Sequence, residues 1–365
     1  MKNNPSLKKK LLMYALILVA IVVIVVIVIS LLGNATSFSE IESTMKAAGK
    51  EYYSVHNYLL PENVGDSTSV TATELAEAKF MKPLTSYNKK ASLCSGQVFV
   101  KKVTAEEYMY TSELDCGSLY TSIPFYKKLT NTDNVTSSGD GLYNVGSEYI
   151  FRGDNPSNYV EYGGNYWRIV KVTQDNYVML ILNKSLEGTY VWDNRYNVEV
   201  GNTSGINDYS ISRLKSSFSD LYDGTTLLTA KAKENVVPSA LCIGKRYTDD
   251  DAKDNSIECQ TKDTPQYIGT ITASDFLMAS LDANCKTTID ISCLNYNYLN
   301  QYSKDYWTLT GSVKKSEKAY LVKSRGSMES VTTSSSASIR PTILLNESVK
   351  LSSGTGTYSD PYILK

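Results

Sequence analysis

The sequence predicts an α+β protein: a single N-terminal transmembrane helix followed by two modules on the far side of the membrane. Three observations carry this expectation. Leu11–Leu32 is a long run without a single charge. Six cysteines, Cys94, Cys116, Cys242, Cys259, Cys285 and Cys293, all lie after that run. Beyond it, stretches with apolar residues at threes and fours alternate with β-rich runs bounded by turn residues, so helices and strands are both present.

The apolar run comes first. As a helix rising about 1.5 Å per residue it would extend roughly 33 Å, enough to cross a hydrocarbon core of about 30 Å. Lys2, Lys8, Lys9 and Lys10 precede it with no acid among the first ten residues. Basic flanks stay in the cytoplasm, so residues 1–10 are expected as a cytoplasmic basic tail and 11–32 as a signal-anchor helix. Everything from Gly33 onward is then extracellular. Gly33-Asn34-Ala35 resembles a cleavage site, but signal-peptide cores run about 7–15 residues, which favours an uncleaved anchor. No second run of spanning length follows.

Composition narrows the function. The 365 residues carry a net charge of −1, and the four lysines of the tail leave the remainder at −5. No basic patch points to nucleic acid. Tyrosine is frequent, at 28 against 7 phenylalanines, which suits both adaptable contact surfaces and ordinary strands. Six cysteines in an oxidising compartment imply three disulfides. Fifteen pairings exist; sequence neighbours favour Cys94–Cys116, Cys242–Cys259 and Cys285–Cys293. No C-x-x-C spacing occurs and His56 is the single histidine, so zinc is disfavoured.

The first module is expected over 33–129. Ile41, Met45, Ala48, Tyr52, Val55 and Leu59 give a helix over Ser37–Leu60 one apolar face, and Pro61 ends it. Asn63–Ser67 reads as a loop, Thr73–Met81 as a second short helix. Cys94–Lys102 and Glu107–Leu114 read as a hairpin whose open ends Cys94 and Cys116 would pin. A membrane helix running into an amphipathic helix and a small antiparallel sheet resembles the layout of type IV pilins and pseudopilins. The hairpin CSGQVFVKKVTAEEYMYTSELDCGSLYT also resembles one in pilin-like surface proteins of gut Firmicutes. The chain lacks the Gly-Phe processing site and the acidic residue inside the apolar run, so the resemblance concerns architecture. Thr130–Asp140, polar and aperiodic, is expected as a linker.

The second module is expected over 141–365. Tyr166–Val172 and Tyr177–Leu182 flank Gln174-Asp175-Asn176 as a hairpin. Ser210–Asp223 is helical, with Ile211, Leu214, Phe218 and Leu221 on one face and Gly224 at its end. Thr272–Leu281 is a second helix with Thr272 or Ser274 as cap and Asp275 in its first turn. Short strands follow at Tyr306–Leu309, Ala319–Val322 and Ile339–Leu345, with Ser324–Ser338 as a flexible polar loop. This order, with Tyr166-Trp167-Arg168-Ile169-Val170, Asp305–Leu309, Ala319–Val322, Ile339-Arg340-Pro341 and the tail GTGTYSDPYILK, resembles the C-type-lectin-like module of an uncharacterised bacterial surface-protein family related in shape to formylglycine-generating enzymes. The resemblance implies that the two ends of the module pair in one sheet, with the first hairpin beside Ile339–Leu345. It also implies that the long loops form a ligand face.

Several residues are candidates for chemistry. Trp167 and Trp307 fall in strands and are expected in the core. Trp192, with Asp193 and Asn194, sits near a loop and is the candidate ligand contact. Asp249, Asp250, Asp251 and Asp254 could gather around calcium, though the EF-hand spacing is absent and a solvated acidic loop is the commoner outcome. The sugar-binding triplets of calcium-dependent lectins are absent, since 192–194 reads Trp-Asp-Asn. Cys285 and Cys293 invite comparison with the reactive pair of formylglycine-generating enzymes, but the exterior setting favours a structural disulfide. Arg340 is expected to make an ion pair or a backbone contact. No cofactor is implied. The sequence therefore reads as a non-enzymatic, single-pass cell-surface protein whose C-type-lectin-like head binds a host or cell-surface glycan or protein. The alternatives are a structural pilin-like or pseudopilin-like envelope subunit and, behind it, a formylglycine-generating-type enzyme.

Overall fold

The computed structural model describes residues 36–300, 304–325 and 328–364. The expected tail and anchor, 1–32, lie outside the described residues; among these, no helix is long and apolar enough to cross a membrane. The chain is mixed α and β and divides into two compact units, Met1–Tyr120 and Thr121–Lys365.

In the first unit, α1 (Phe38–Val55) starts at a capping box. The Ser37 hydroxyl accepts from the Glu40 amide, and Glu40 reaches back to the Ser37 amide at 3.0 Å, satisfying two amides that helix geometry leaves unpaired. The helix ends earlier than periodicity alone predicts. His56 leaves helical geometry, and its ring stacks on Tyr52. β1 (Ser67–Thr71), α2 (Ala72–Glu77), β2 (Ser95–Lys102) and β3 (Tyr108–Asp115) follow, with sheet order β1-β2-β3, all antiparallel. β1 begins in the stretch expected as a loop: STSVT buries Val70 alone among its residues, so its sequence shows no alternation to read. Ile41, Met45 and Ala48 of α1 pack with Val98 and Val100 of β2. The fit is close, because a Cβ on Gly49 would lie 2.6 Å from Val98. Cys94–Cys116 closes the open end of the β2–β3 hairpin.

The second unit begins with α3 (Phe125–Leu129), whose Phe125 and Leu129 enter its core. The stretch 130–140, expected as a linker, therefore belongs to this unit. Its polar residues serve as turn partners: the Asp140 carboxylate accepts the amides of Asp154 and Asn155, and the Thr136 amide donates to the Leu142 carbonyl.

The main sheet contains β4 (Gly141–Val145), β5 (Glu148–Arg152), β6 (Tyr159–Tyr162), β7 (Asn165–Val172) and β8 (Val178–Leu182). The expected hairpin is β7–β8, turning at Asn176 with φ +63°, a conformation asparagine tolerates better than most residues. β9 (Tyr190–Val191), α4 (Arg213–Asp223), β10 (Ser239–Cys242), β11 (Lys245–Arg246), β12 (Lys262–Gln266), β13 (Ile268–Gly269) and α5 (Ala273–Ala279) follow. α4 begins at its Ser212 cap and stops at Gly224; α5 carries a capping box between Thr272 and Asp275.

The chain closes with β14 (Tyr306–Ser312), β15 (Lys318–Val322), β16 (Met328–Thr332), β17 (Ser336–Ala337), β18 (Thr342–Leu345), β19 (Leu351–Ser353) and β20 (Tyr362–Leu364). β18 pairs antiparallel with β8, so the first hairpin lies beside the late strand. β20 pairs parallel with β6, drawing the end of the chain into the same sheet. A second sheet has the order β11-β14-β15-β16. The stretch 324–338 is not the loop expected of it: β16 pairs with β15 and β17 with β9. Its serines and threonines hid two edge strands. Trp167, Trp192 and Trp307 are all fully buried in one core with Phe218 and Phe276.

Candidate functional site

The disulfides are Cys94–Cys116, Cys242–Cys259 and Cys285–Cys293, and no described cysteine is free. Cys285 and Cys293 are wholly buried and bonded to each other, so neither offers a thiol.

The expected ligand contact Trp192-Asp193-Asn194 does not form a surface. The Trp192 ring is fully buried, donates its Nε1–H to the Thr308 carbonyl at 3.0 Å and meets Tyr209 edge-on. It has no free face for a sugar. Asp193 is fully buried, paired with Arg195 at 2.9 Å and accepting the Ile206 amide. Only Asn194 is exposed. A tryptophan near a loop in sequence was drawn inward because β9 carries it under α4. Asp249, Asp250, Asp251 and Asp254 do not converge either: among the described residues no cluster of three metal-ligating side chains exists. Asp250 accepts the Tyr247 amide and Asp254 the Ser256 amide, so these carboxylates shape turns.

Arg340 makes the backbone contacts expected of it. Its guanidinium donates to the carbonyls of Leu182, Leu299 and Asn183 at 2.7–3.1 Å, tying the start of β18 to the end of β8. Arg168 is also buried. It lies over the ring of Tyr159 at 3.7 Å, and desolvation pulls it down to about 10 against some compensation from Tyr159 and Tyr298.

A cleft of about 480 Å³ opens in the second unit. One wall is the antiparallel pair β10 and β12, with Cys242–Cys259 stapling the segment between them. The opposite wall is formed by β7, β8 and β18. Its floor is polar and tied together. Lys171 on β7 lies 3.2 Å from Glu148 on β5 and 3.5 Å from Asp275 on α5. Burial alone would lower the Lys171 pKa; the two carboxylates outweigh it and hold it above the ordinary value of 10.5. Asn255 donates to Asp275 at 2.9 Å and accepts from Thr272. A lysine held as an ammonium between two carboxylates is no nucleophile, and an aspartate engaged in a capping box is no free base. The floor offers fixed hydrogen-bonding groups. Tyr267, 45% exposed, stands at the rim, braced by a parallel stack on Tyr222 at 4.8 Å.

A second cavity of about 380 Å³ lies in the same unit. β5, the 252–255 loop and α5 line both: Glu148, Asn255 and Asp275 face the cleft, whereas Ile150, Arg152, Lys253 and Met278 face the second cavity. Sequence reasoning passed over Lys171, Glu148, Arg152 and Lys253. Glu148, Arg152 and Lys171 are charges inside ordinary strands and Lys253 sits in the acidic stretch 249–254, and only tertiary pairing brings Lys171 to Glu148. Comparison of the chain with protein-family models, with curated proteins and with solved structures finds no match in any of the three.

Proposed function

We propose that this is a membrane-anchored extracellular binding or adhesion protein, held by Leu11–Leu32, whose second unit is a C-type-lectin-like head for a glycan or protein ligand. The observation that supports this reading is the cleft of about 480 Å³. It has the dimensions of a small-ligand site, a pre-formed polar floor and an aromatic rim, the ingredients of recognition. Its stapled wall and its tied floor lower the ordering cost of binding. Oxidised cysteines in both units suit an extracellular setting.

The test is saturable binding of the full chain, reconstituted in lipid nanodiscs, to arrays of glycans and of cell-surface proteins. Tyr267→Ala combined with Lys262→Glu, both at the cleft and outside the core, should weaken any hit at least tenfold. An array without a saturable hit contradicts the reading. A second reading, a structural pilin-like envelope subunit, draws on the packing of α1 against the β1–β3 sheet. It predicts ordered oligomers on cross-linking, where the first reading requires none.

A further inference from the structure

The end of the first unit from which α1 starts stands close to the apolar run. Thr36 follows Leu32, the last residue of that run, by four residues, a reach of at most about 14 Å. A headgroup layer is about 5–8 Å thick on each side of a bilayer, so even a fully extended connection leaves Thr36 within about 10 Å of it. The Thr36 amide donates to the Tyr87 carbonyl at 3.1 Å, and the Asn88 side chain donates to the Thr36 carbonyl at 3.2 Å. These bonds hold the helical turn Lys89–Leu93, which begins at the next residue, beside the start of α1.

β2 climbs away from this end in the same direction as α1. A Cβ on Gly96 would lie 2.5 Å from the Met45 sulfur, and one on Gly49 would lie 2.6 Å from Val98. Phe38 to Met45 is a rise of about 10 Å along the helix. Gly96 back to Leu93 is a descent of about 10 Å along extended chain. Leu93 therefore lies level with Phe38. Leu119 is at the same end, because its neighbour Tyr120 stacks on Phe38 at 5.7 Å.

The surface so assembled has the chemistry of an interfacial contact, apolar side chains among cations. Leu93 is 81% exposed and Leu119 48%. Lys89 and Lys90 are exposed and make no ion pair among the described residues. The acids of this end have partners within the unit: Glu40 accepts the Ser37 amide, Glu42 the Tyr120 hydroxyl and Asp115 the Gly117 amide. The exposed acids Glu62, Asp66, Glu106 and Glu107 stand at the opposite end, where the Gly65 amide meets the Lys102 carbonyl.

We infer that the Lys89–Leu93 turn, together with Leu119, docks on the lipid surface from which the chain emerges. The two leucines enter the interface and the two lysines take headgroup phosphates. This rests on the reading of Leu11–Leu32 as an anchor and adds a second point of attachment to it.

The experiment uses the full chain in nanodiscs of phosphatidylglycerol, with and without bromine on the acyl chains near the headgroup. Bromine quenches nearby tryptophan, and the wild type supplies the background from its three buried tryptophans. Leu93→Trp adds a reporter at the proposed contact, and Val64→Trp adds one at the opposite end, where Val64 is 61% exposed. The absence of titratable thiol confirms that Cys94–Cys116 is intact in each variant. The added emission of Leu93→Trp should fall at least twofold on bromination, and that of Val64→Trp by less than a tenth. Lys89→Glu with Lys90→Glu should at least halve the quenching of Leu93→Trp. Equal quenching of the two reporters overturns the inference. Quenching that survives both glutamates overturns the headgroup contact and leaves only the proximity that an anchor imposes. A chain that stays out of the nanodiscs refutes the anchor and this inference with it, whereas a chain that inserts with Leu93→Trp unquenched refutes the inference alone.

Discussion

Arg246 and Glu258 form an ion pair with both side chains fully buried, at 3.0 Å. Glu258 also accepts the Ser274 hydroxyl at 2.7 Å and the Thr310 hydroxyl at 3.2 Å, while Arg246 donates to the carbonyls of Asp250 and Ala252. Desolvating two charges is costly, and removing one strands the other. Arg246→Met should cost about 3–5 kcal/mol. All three tryptophans lie in this unit and are buried, so denaturation followed by tryptophan emission reads the loss directly; a change under 1 kcal/mol would show that the pair is not sealed from water. At Trp192 stability and binding come apart, because the ring is fully buried. Trp192→Phe leaves the Thr308 carbonyl unpaired and should cost about 1–3 kcal/mol, with ligand affinity unchanged. Lost affinity at wild-type stability would return the ring to the surface. Lys171 gives a pH signature. Its folded pKa lies above the ordinary value of 10.5, so its contribution is complete below that value and lost as pH rises through the folded one. Lys171→Met should therefore flatten the alkaline limb of the stability profile above about pH 10, while the neutral-pH profile keeps its shape.

At the scale of elements, the helix α1 depends on a residue with no side chain. Gly49→Ala gains helix propensity of up to about 1 kcal/mol but forces a methyl into Val98, a fully buried neighbour 2.6 Å away. Overpacking costs about 1–3 kcal/mol, so the net effect should be destabilising. The first unit holds no tryptophan, so amide exchange in β2 is the readout, with faster exchange expected and slower exchange contradictory. This contest also shows what a sequence reveals. α1, the β2–β3 and β7–β8 hairpins and α4 were legible because their apolar periodicity, caps and turn residues agree. β1 and β16 were not: STSVT and the serine-rich stretch before Arg340 place one or two residues inward and leave the rest polar, so backbone pairing with a neighbour makes the strand. The cleft was equally opaque. Lys171 reads as an ordinary strand residue until Glu148 and Asp275, from two other elements, arrive beside it. Trp192 failed in the other direction, since proximity to a loop says nothing about which way a large ring turns.

For the whole molecule, two short-range staples hold loops of the second unit against its β core, and a third closes a hairpin of the first. Replacing Cys285 and Cys293 together with serine should cost the second unit about 2–4 kcal/mol, and the unreduced wild-type chain should titrate no thiol when unfolded. A titratable thiol there would contradict both the pairing and the exterior setting. The central claim is that Thr121–Lys365 stands outside a membrane held by Leu11–Leu32. Labelling intact cells with a membrane-impermeant, amine-reactive biotin ester, followed by peptide mapping, tests it most directly. Lys231, Lys286 and Lys314, all exposed, should be labelled in intact cells, while Lys8, Lys9 and Lys10 should be labelled only after permeabilisation. The reverse pattern, or labelling of both groups only after permeabilisation, would contradict the account.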